Sequence, residues 1–248
     1  KLRGASMCRQ AAQHVGADCA AACGGVPLGP RVEGREDAQV LGIGGGFSGL
    51  HTALRLALAG KKVVLLEASR LAWAASGRNG GQALPGWSCD MPPFEKALGL
   101  ERARQLWDSM TWAAKEMREL PERHGFDIDY RTGAIYTAVL PRRVRLLQEN
   151  LEEAEQKYGY QQLSFIPKNE LPKWIASPRY LAALHDAGAA HLNPLKLAQG
   201  LADAIEKAGG RIFEQSQVLD YRETAEGYVA RTEHGEVRGD VLVLACNA

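Results

Sequence analysis

The sequence predicts an α/β fold, a parallel sheet covered by helices and interrupted by an α+β insertion, and three observations carry that prediction. Two short apolar runs, Val40–Ile43 and Val63–Leu66, flank an apolar-periodic segment within about 30 residues, the span of a strand–helix–strand unit. A glycine-rich bend, Gly44-Gly45-Gly46-Phe47-Ser48-Gly49, joins the first run to that segment. After a long stretch that loses the rhythm, one helical pattern and several short apolar runs return between Pro194 and Ala245. A chain of 248 residues, 46% hydrophobic and 24% charged, can bury a core of this kind.

Residues 1–35 hold small residues, scattered Gly and Pro and no sustained period, so a poorly ordered leader is expected there. The chain begins at Lys1 and stops at Ala248 directly after an apolar run, which reads as a fragment of a longer protein with a misread leader. Five cysteines form no CxxC pair; Cys8, Cys19 and Cys23 gather around His14, but at no zinc spacing, and no metal site is predicted. From Asp37 the pattern sharpens. Val40, Leu41 and Ile43 predict a buried strand, blemished by Gly42, which loses packing, and by Gln39, which needs polar partners. Leu50, Ala53, Leu54, Ala57 and Leu58 recur at helical spacing, and Gly60 sits at the helix stop. Val63, Val64, Leu65 and Leu66 form a continuous run suited to a strand covered on both faces.

Pro92–Glu122 predicts one or two amphipathic helices with Phe94, Leu98, Leu106, Trp107, Met110, Met117 and Leu120 on the core stripe. Asp127–Val139 alternates around Thr132-Gly133 and predicts a hairpin. Arg142–Tyr158 predicts a helix buried through Val144, Leu147, Leu151 and Ala154. Its Arg142, Arg143, Arg145, Glu149, Glu152, Glu153 and Glu155 read as a solvated, i,i+4-paired face rather than a binding patch. Pro194 then opens a helix that runs to Ala208 and ends at Gly209-Gly210, and strands are expected at 211–213, 218–222, 228–232 and 241–245. The predicted domains are a leader at 1–35, a nucleotide-binding domain assembled from 36–88 and 190–248, and an inserted substrate domain at 89–189.

A net charge of +1 with both signs interspersed predicts neither nucleic acid nor an anionic membrane as partner. Leu50–Gly60, among the most apolar stretches, contains His51 and Arg55 and falls short of the roughly 20 residues of a membrane span. With no secretory h-region near the amino end, a cytoplasmic protein is expected.

In the first bend, Gly44 permits a tight turn, Gly46 lets backbone approach a pyrophosphate, and Gly49 lets helix pack closely on strand. The helix amino terminus offers N–H groups and partial positive charge to the diphosphate. Glu67, about 20 residues on, is placed to accept hydrogen bonds from a ribose diol. A purely structural turn is the bland alternative; two flanking strands and Glu67 favour a nucleotide. The second glycine-rich loop, Ser76-Gly77-Arg78-Asn79-Gly80-Gly81-Gln82, reads by composition as a surface connection. Its place after the ribose strand makes it a second cofactor loop, with Arg78 and Asn79 as donors. A nicotinamide-binding domain does not need that loop, and the pair points to bound FAD.

The run Ile43–Gln82, IGGGFSGLHTALRLALAGKKVVLLEASRLAWAASGRNGGQ, resembles the amino-terminal signature of FAD-dependent oxidoreductases of the D-amino acid oxidase (DAO) type, and within them is similar to the gamma-glutamylputrescine oxidoreductase group. His191-Leu192-Asn193-Pro194 with Leu201-Ala202 and Gly209-Gly210 resembles that family's return into its FAD domain. By the same resemblance Val218 takes the strand position whose backbone meets the adenine. Ala245-Cys246-Asn247-Ala248 resembles the alanine-threonine-asparagine turn beside the diphosphate, with Cys246 in place of threonine.

The resemblance spans residues 38–248 and implies a Rossmann-like FAD-binding domain of the GR2-type flavoproteins with an inserted α+β substrate domain, truncated at the C-terminus. The cofactor-binding residues expected are Gly44, Gly46, Phe47, Ser48, Gly49, Glu67, Ala68, Ser76, Gly77, Arg78, Asn79, Gly80, Gly81, Gln82, Val218, Cys246 and Asn247. The implied reaction oxidises a primary or secondary amine or an amino acid, with hydride passing to flavin N5 and the imine then hydrolysed. It requires no dedicated protein base, and no catalytic residue is assigned. His51, His124, His185 and His191 are candidates by residue type alone, and Trp73, Trp87 and Tyr136 are candidate pocket walls. The competing classes are a noncatalytic nucleotide-binding fragment and an NAD-dependent dehydrogenase built on the same βαβ unit, the second disfavoured by the Ser76–Gln82 loop.

Overall fold

A computed structural model describes residues 29–246, in two units: residues 29–78 with 201–246, and residues 79–200. These breaks fall earlier and later than the expected 89–189 insertion. Cys8, His14, Cys19 and Cys23, the cysteine cluster considered as a metal site, lie outside the described residues, as does Asn247.

The first unit holds a six-stranded sheet of order β7-β2-β1-β10-β9-β8, built from β1 (Gly34–Ile43), β2 (Val63–Leu66), β7 (Arg211–Phe213), β8 (Asp220–Thr224), β9 (Gly227–Arg231) and β10 (Gly235–Leu244). β7, β2, β1 and β10 run parallel, in register Val40 with Val63 and Val241; β9 and β8 continue antiparallel as a meander. Helix α1 (Phe47–Leu58) is the crossover from β1 to β2. Leu50, Ala53, Leu54 and Ala57 are buried along one stripe, because residues three and four apart share a helix face, while Leu58 stands exposed. All four residues of β2 are buried, as a strand between covered faces requires.

Several local expectations need correction. Residues 31–35 are placed rather than loose: Val32 is fully buried in the cluster with Leu41, Val64 and Phe213, and β1 starts at Gly34. Gln39 is exposed, and its Oε1 accepts the Lys62 N–H at 3.0 Å, so no buried polar group arises. Gly42 makes room for Leu65, whose Cδ1 would lie 2.8 Å from an added Cβ. Strand β8 starts at Asp220, so Val218 belongs to the preceding loop, where its half-buried side chain packs on the Val32 cluster. β10 spans residues 235–244, well upstream of the expected 241.

The second unit holds β3 (Gln82–Ala83), α2 (Met91–Leu98), α3 (Leu100–His124), β4 (Arg131–Ala138), α4 (Pro141–Tyr158), β5 (Leu163–Pro167) and β6 (Ala182–His191). Antiparallel β4 lines one edge of β6, and β5 and β3 share the other. The hairpin expected at 127–139 is a single strand. Gly133, with φ 93°, is not a turn: the register slips between Thr132 and Ala134, where this one residue faces residues 187–189 of β6, so the extra residues of the bulge lie in β6 and β4 runs on without reversing. Helix α5 (Pro194–Lys207) carries the chain back to the first unit; Asn193 Oδ1 accepts the N–H groups of Leu195 and Lys196, each at 3.1 Å, capping it.

Candidate functional site

The end of β1 and the start of α1 form a turn that only glycines can make. Gly44 has φ 112°, and a Cβ on it would lie 2.5 Å from the Ala245 carbonyl oxygen and 2.9 Å from Cys246 Cα. The loop after β10 therefore lies directly on the turn, and the exposed Cys246 sits beside it. A Cβ on Gly49 would lie 1.9 Å from the Gly44 carbonyl oxygen, so the helix starts hard against its own turn. Gly46 is the N-cap of α1 and brings no capping side chain of its own, and no acidic residue occupies the first turn. A helix N-terminus behind a glycine turn offers backbone N–H groups and the positive end of the helix dipole to an anion.

Glu67 follows β2, half-buried. Its Oε2 accepts the Gly45 N–H at 2.7 Å and its Oε1 accepts the Ser69 N–H at 2.8 Å. A carboxylate has about four lone-pair sites, so Glu67 organises the loop and keeps acceptor capacity for a diol. Ala68, beside it, is exposed.

The second glycine loop splits in two. Its first part joins the first turn: Ser76 Oγ accepts the Phe47 N–H at 3.0 Å, and Gly77 packs on the Ala72 carbonyl oxygen, 2.4 Å from where a Cβ would be. Arg78 is exposed, its guanidinium 3.9 Å over the Trp73 ring. Trp73 is thus a platform for Arg78. The remaining residues open the second unit. Asn79 Oδ1 accepts the Gly81 N–H at 2.8 Å, Gly80 is exposed, and Gly81, with φ 69°, would place a Cβ 1.9 Å from the Leu192 carbonyl oxygen. Gln82 pairs with His191 in β3. Of the expected contacts, Gly44, Gly46, Phe47, Ser48, Gly49, Glu67, Ser76 and Cys246 gather within the first unit at one turn.

Sequence reasoning passed over Gly45 and Glu214. Gly45 makes way for Leu71 Cδ2, 2.7 Å from a Cβ there, and its carbonyl oxygen accepts the Ala72 N–H at 2.9 Å. Glu214, buried at the end of β7, accepts the Leu71 N–H at 2.6 Å and the Gly29 N–H at 2.6 Å. It thereby holds the segment that Gly45 rests on. The available signal was a carboxylate closing the apolar run Ile212-Phe213, the same pattern that marked Glu67.

The histidine candidates are dispersed. His51 lies one turn into α1, with its ring 6.5 Å from that of Phe47; His124, His185 and His191 belong to the second unit, His185 tilted against Trp174. Trp87 and Tyr136 do line a common cavity in that unit.

Residues 40–248 match the family of FAD dependent oxidoreductases, DAO. The chain belongs to this family. It is 41% identical over 206 residues to gamma-glutamylputrescine oxidoreductase of Escherichia coli (strain K12), covering 83% of this chain and 48% of that protein. It is 28% identical to glycine oxidase of Pseudomonas aeruginosa over 85% of this chain and 55% of that one. Among solved structures, L-amino acid deaminase from Proteus myxofaciens superposes with a TM-score of 0.74 at 21% identity, over 89% of this chain and 48% of that one. Glycine oxidase from Geobacillus kaustophilus gives 0.68 at 23%, over 86% and 56%. These structures share the α/β fold. The chain spans about half the length of the curated relatives it matches. No helix among the described residues is long and apolar enough to cross a membrane.

Proposed function

We propose that this chain holds FAD at the Gly44–Gly49 turn and forms part of an oxidoreductase for a primary or secondary amine or an amino acid, gamma-glutamylputrescine-like in substrate class. The observation that carries the cofactor reading is the cradle itself: glycines whose side-chain space is filled by backbone, a helix N-terminus whose N-cap is glycine, and Glu67 at the end of the next strand. The N–H groups of Ser48 and Gly49 would hold the diphosphate, Ser76 steadies the turn through the Phe47 N–H, and Glu67 would take the ribose. Arg78, held over Trp73, adds positive charge at the loop. Asn79, Gly80, Gly81 and Gln82 continue that loop, and Ala68, Val218, Cys246 and Asn247 complete the expected set. FAD supplies the hydride acceptor for this chemistry, and water hydrolyses the imine product. The protein's share is to bind and orient. The cytoplasm is the compartment proposed for it.

The test is to purify the chain, incubate it with FAD, desalt it and record the visible spectrum. A retained flavin spectrum and amine-dependent bleaching support the proposal. Flavin retention without bleaching by any amine or amino acid would leave a binding protein rather than an enzyme, and a colourless product would remove the cofactor reading.

A further inference from the structure

The second unit contains a cavity of about 740 Å³, within the range of small-molecule sites, lined by α2, α3, α4 and one face of the β4–β6 sheet. Its aromatic walls are Trp87, Trp107, Tyr136, Tyr158 and Tyr160, with Trp107 stacked on Tyr158 at 4.4 Å and edge-on to Tyr160 at 5.5 Å. Asp186, only 4% exposed, enters from β6. Its Oδ1 accepts both the Tyr160 hydroxyl, at 2.7 Å, and the Gly188 N–H, at 2.9 Å. Among the described residues no donor reaches Oδ2. Because no fully enclosed side-chain oxygen among the described residues lacks a partner, Oδ2 is open to solvent, and Asp186 is one of the residues that line the cavity.

The charges around the cavity favour a cation. Glu149 and Glu153 are paired with Arg145 and Lys157 on α4, leaving Asp90 and Asp186 against Arg143. Burial and the bond to Asp186 push the Tyr160 hydroxyl well above its ordinary range, so it stays a donor and fixes the carboxylate's orientation. A desolvated carboxylate gains from a counter-charge, and aromatic faces attract ammonium groups by their quadrupoles.

We propose that this cavity binds an organic ammonium ion, with Asp186 as counter-charge and the aromatic rings as walls. The evidence lies wholly within the second unit and holds independently of FAD uptake. The experiment titrates the 248-residue chain, with and without FAD, with n-butylammonium chloride at fixed ionic strength, and in parallel with n-butanol and butyrate. Tryptophan fluorescence and heat of binding are read together.

A saturable response to the ammonium alone is expected. Asp186→Asn, close to isosteric, weakens it about tenfold or more through loss of the buried counter-charge, with far-UV circular dichroism unchanged. Trp87→Ala, at a half-exposed rim position, weakens it about threefold. Glu233→Gln, at an exposed position in the first unit, leaves it unchanged. The inference is overturned if butylammonium gives no saturable response, if butanol gives an equal one, or if folded Asp186→Asn binds like the parent. Should Asp186→Asn fail to fold, unchanged affinity in Trp87→Ala overturns it. A chain that binds butylammonium yet takes up no FAD keeps this inference and loses the cofactor proposal.

Discussion

In the first unit the glycines of the turn press on other backbone: a Cβ on Gly49 would lie 1.9 Å from the Gly44 carbonyl oxygen, and one on Gly44 2.5 Å from that of Ala245. In the second unit Gly125 and Gly159 end helices α3 and α4 with φ 72° and 65°, but a Cβ on either meets nothing within 4 Å. The same residue serves two ends. At the turn it brings chain segments closer than any side chain allows, and at the helix ends it only relieves the left-handed conformation. The first unit thus offers a ligand backbone N–H groups held in fixed positions, whereas the second offers side chains around a cavity.

That contrast is open to direct attack. Gly49→Ala should cost about 3 kcal/mol of stability, the upper end of overpacking effects, and abolish FAD uptake, read as a urea midpoint and a binding titration. Glu214→Ala should cost about 2 kcal/mol, because the Gly29 and Leu71 N–H groups are left unpaired. It should also weaken FAD binding by loosening the segment under Gly45. Gly159→Ala should cost about 1 kcal/mol, the strain of one left-handed residue, with FAD affinity unchanged. If Gly49→Ala and Gly159→Ala behaved alike, the distinction between close approach and helix ending would fail.

The smallest effect concerns acid stability. Glu95 on α2 accepts hydrogen bonds from the Tyr158 hydroxyl and Lys157 Nζ, which hold its carboxyl below the usual carboxylate range. A carboxyl depressed in the folded state stabilises it above the unfolded pKa, and that contribution is lost as pH falls through the folded one. Glu95→Gln should therefore lower stability slightly at neutral pH, where the interaction is present, and leave the acid region little changed, flattening the acid limb of the stability–pH curve.

The sheet, the crossover helix and the turn were legible because each rests on local pattern. Continuous apolar runs, helical spacing from Leu50 to Ala57 and a glycine cluster between them are visible along the chain. What escaped depends on partners distant in sequence. Gly133 looks like a hairpin turn by composition, yet β4 runs straight through it, paired with β6 on either side, and β6 carries the extra residues of the irregularity. Val218 carries strand-like apolarity, but its side chain serves the Val32 cluster rather than a ladder. Trp73 looked like a pocket wall, and only the fold shows Arg78 stacked on it. Glu214 was invisible as a clamp, because both of its donors, at Gly29 and Leu71, are more than a hundred residues away.

The central claim, that the turn itself grips the dinucleotide, is tested most directly by titrating FAD into the purified 248-residue chain while following flavin fluorescence, with Gly49→Ala and Gly159→Ala alongside. The account predicts saturable uptake by the parent and by Gly159→Ala, displaced by ADP, and none by Gly49→Ala. Uptake by Gly49→Ala equal to the parent's, or FAD binding that ADP leaves untouched, would contradict it.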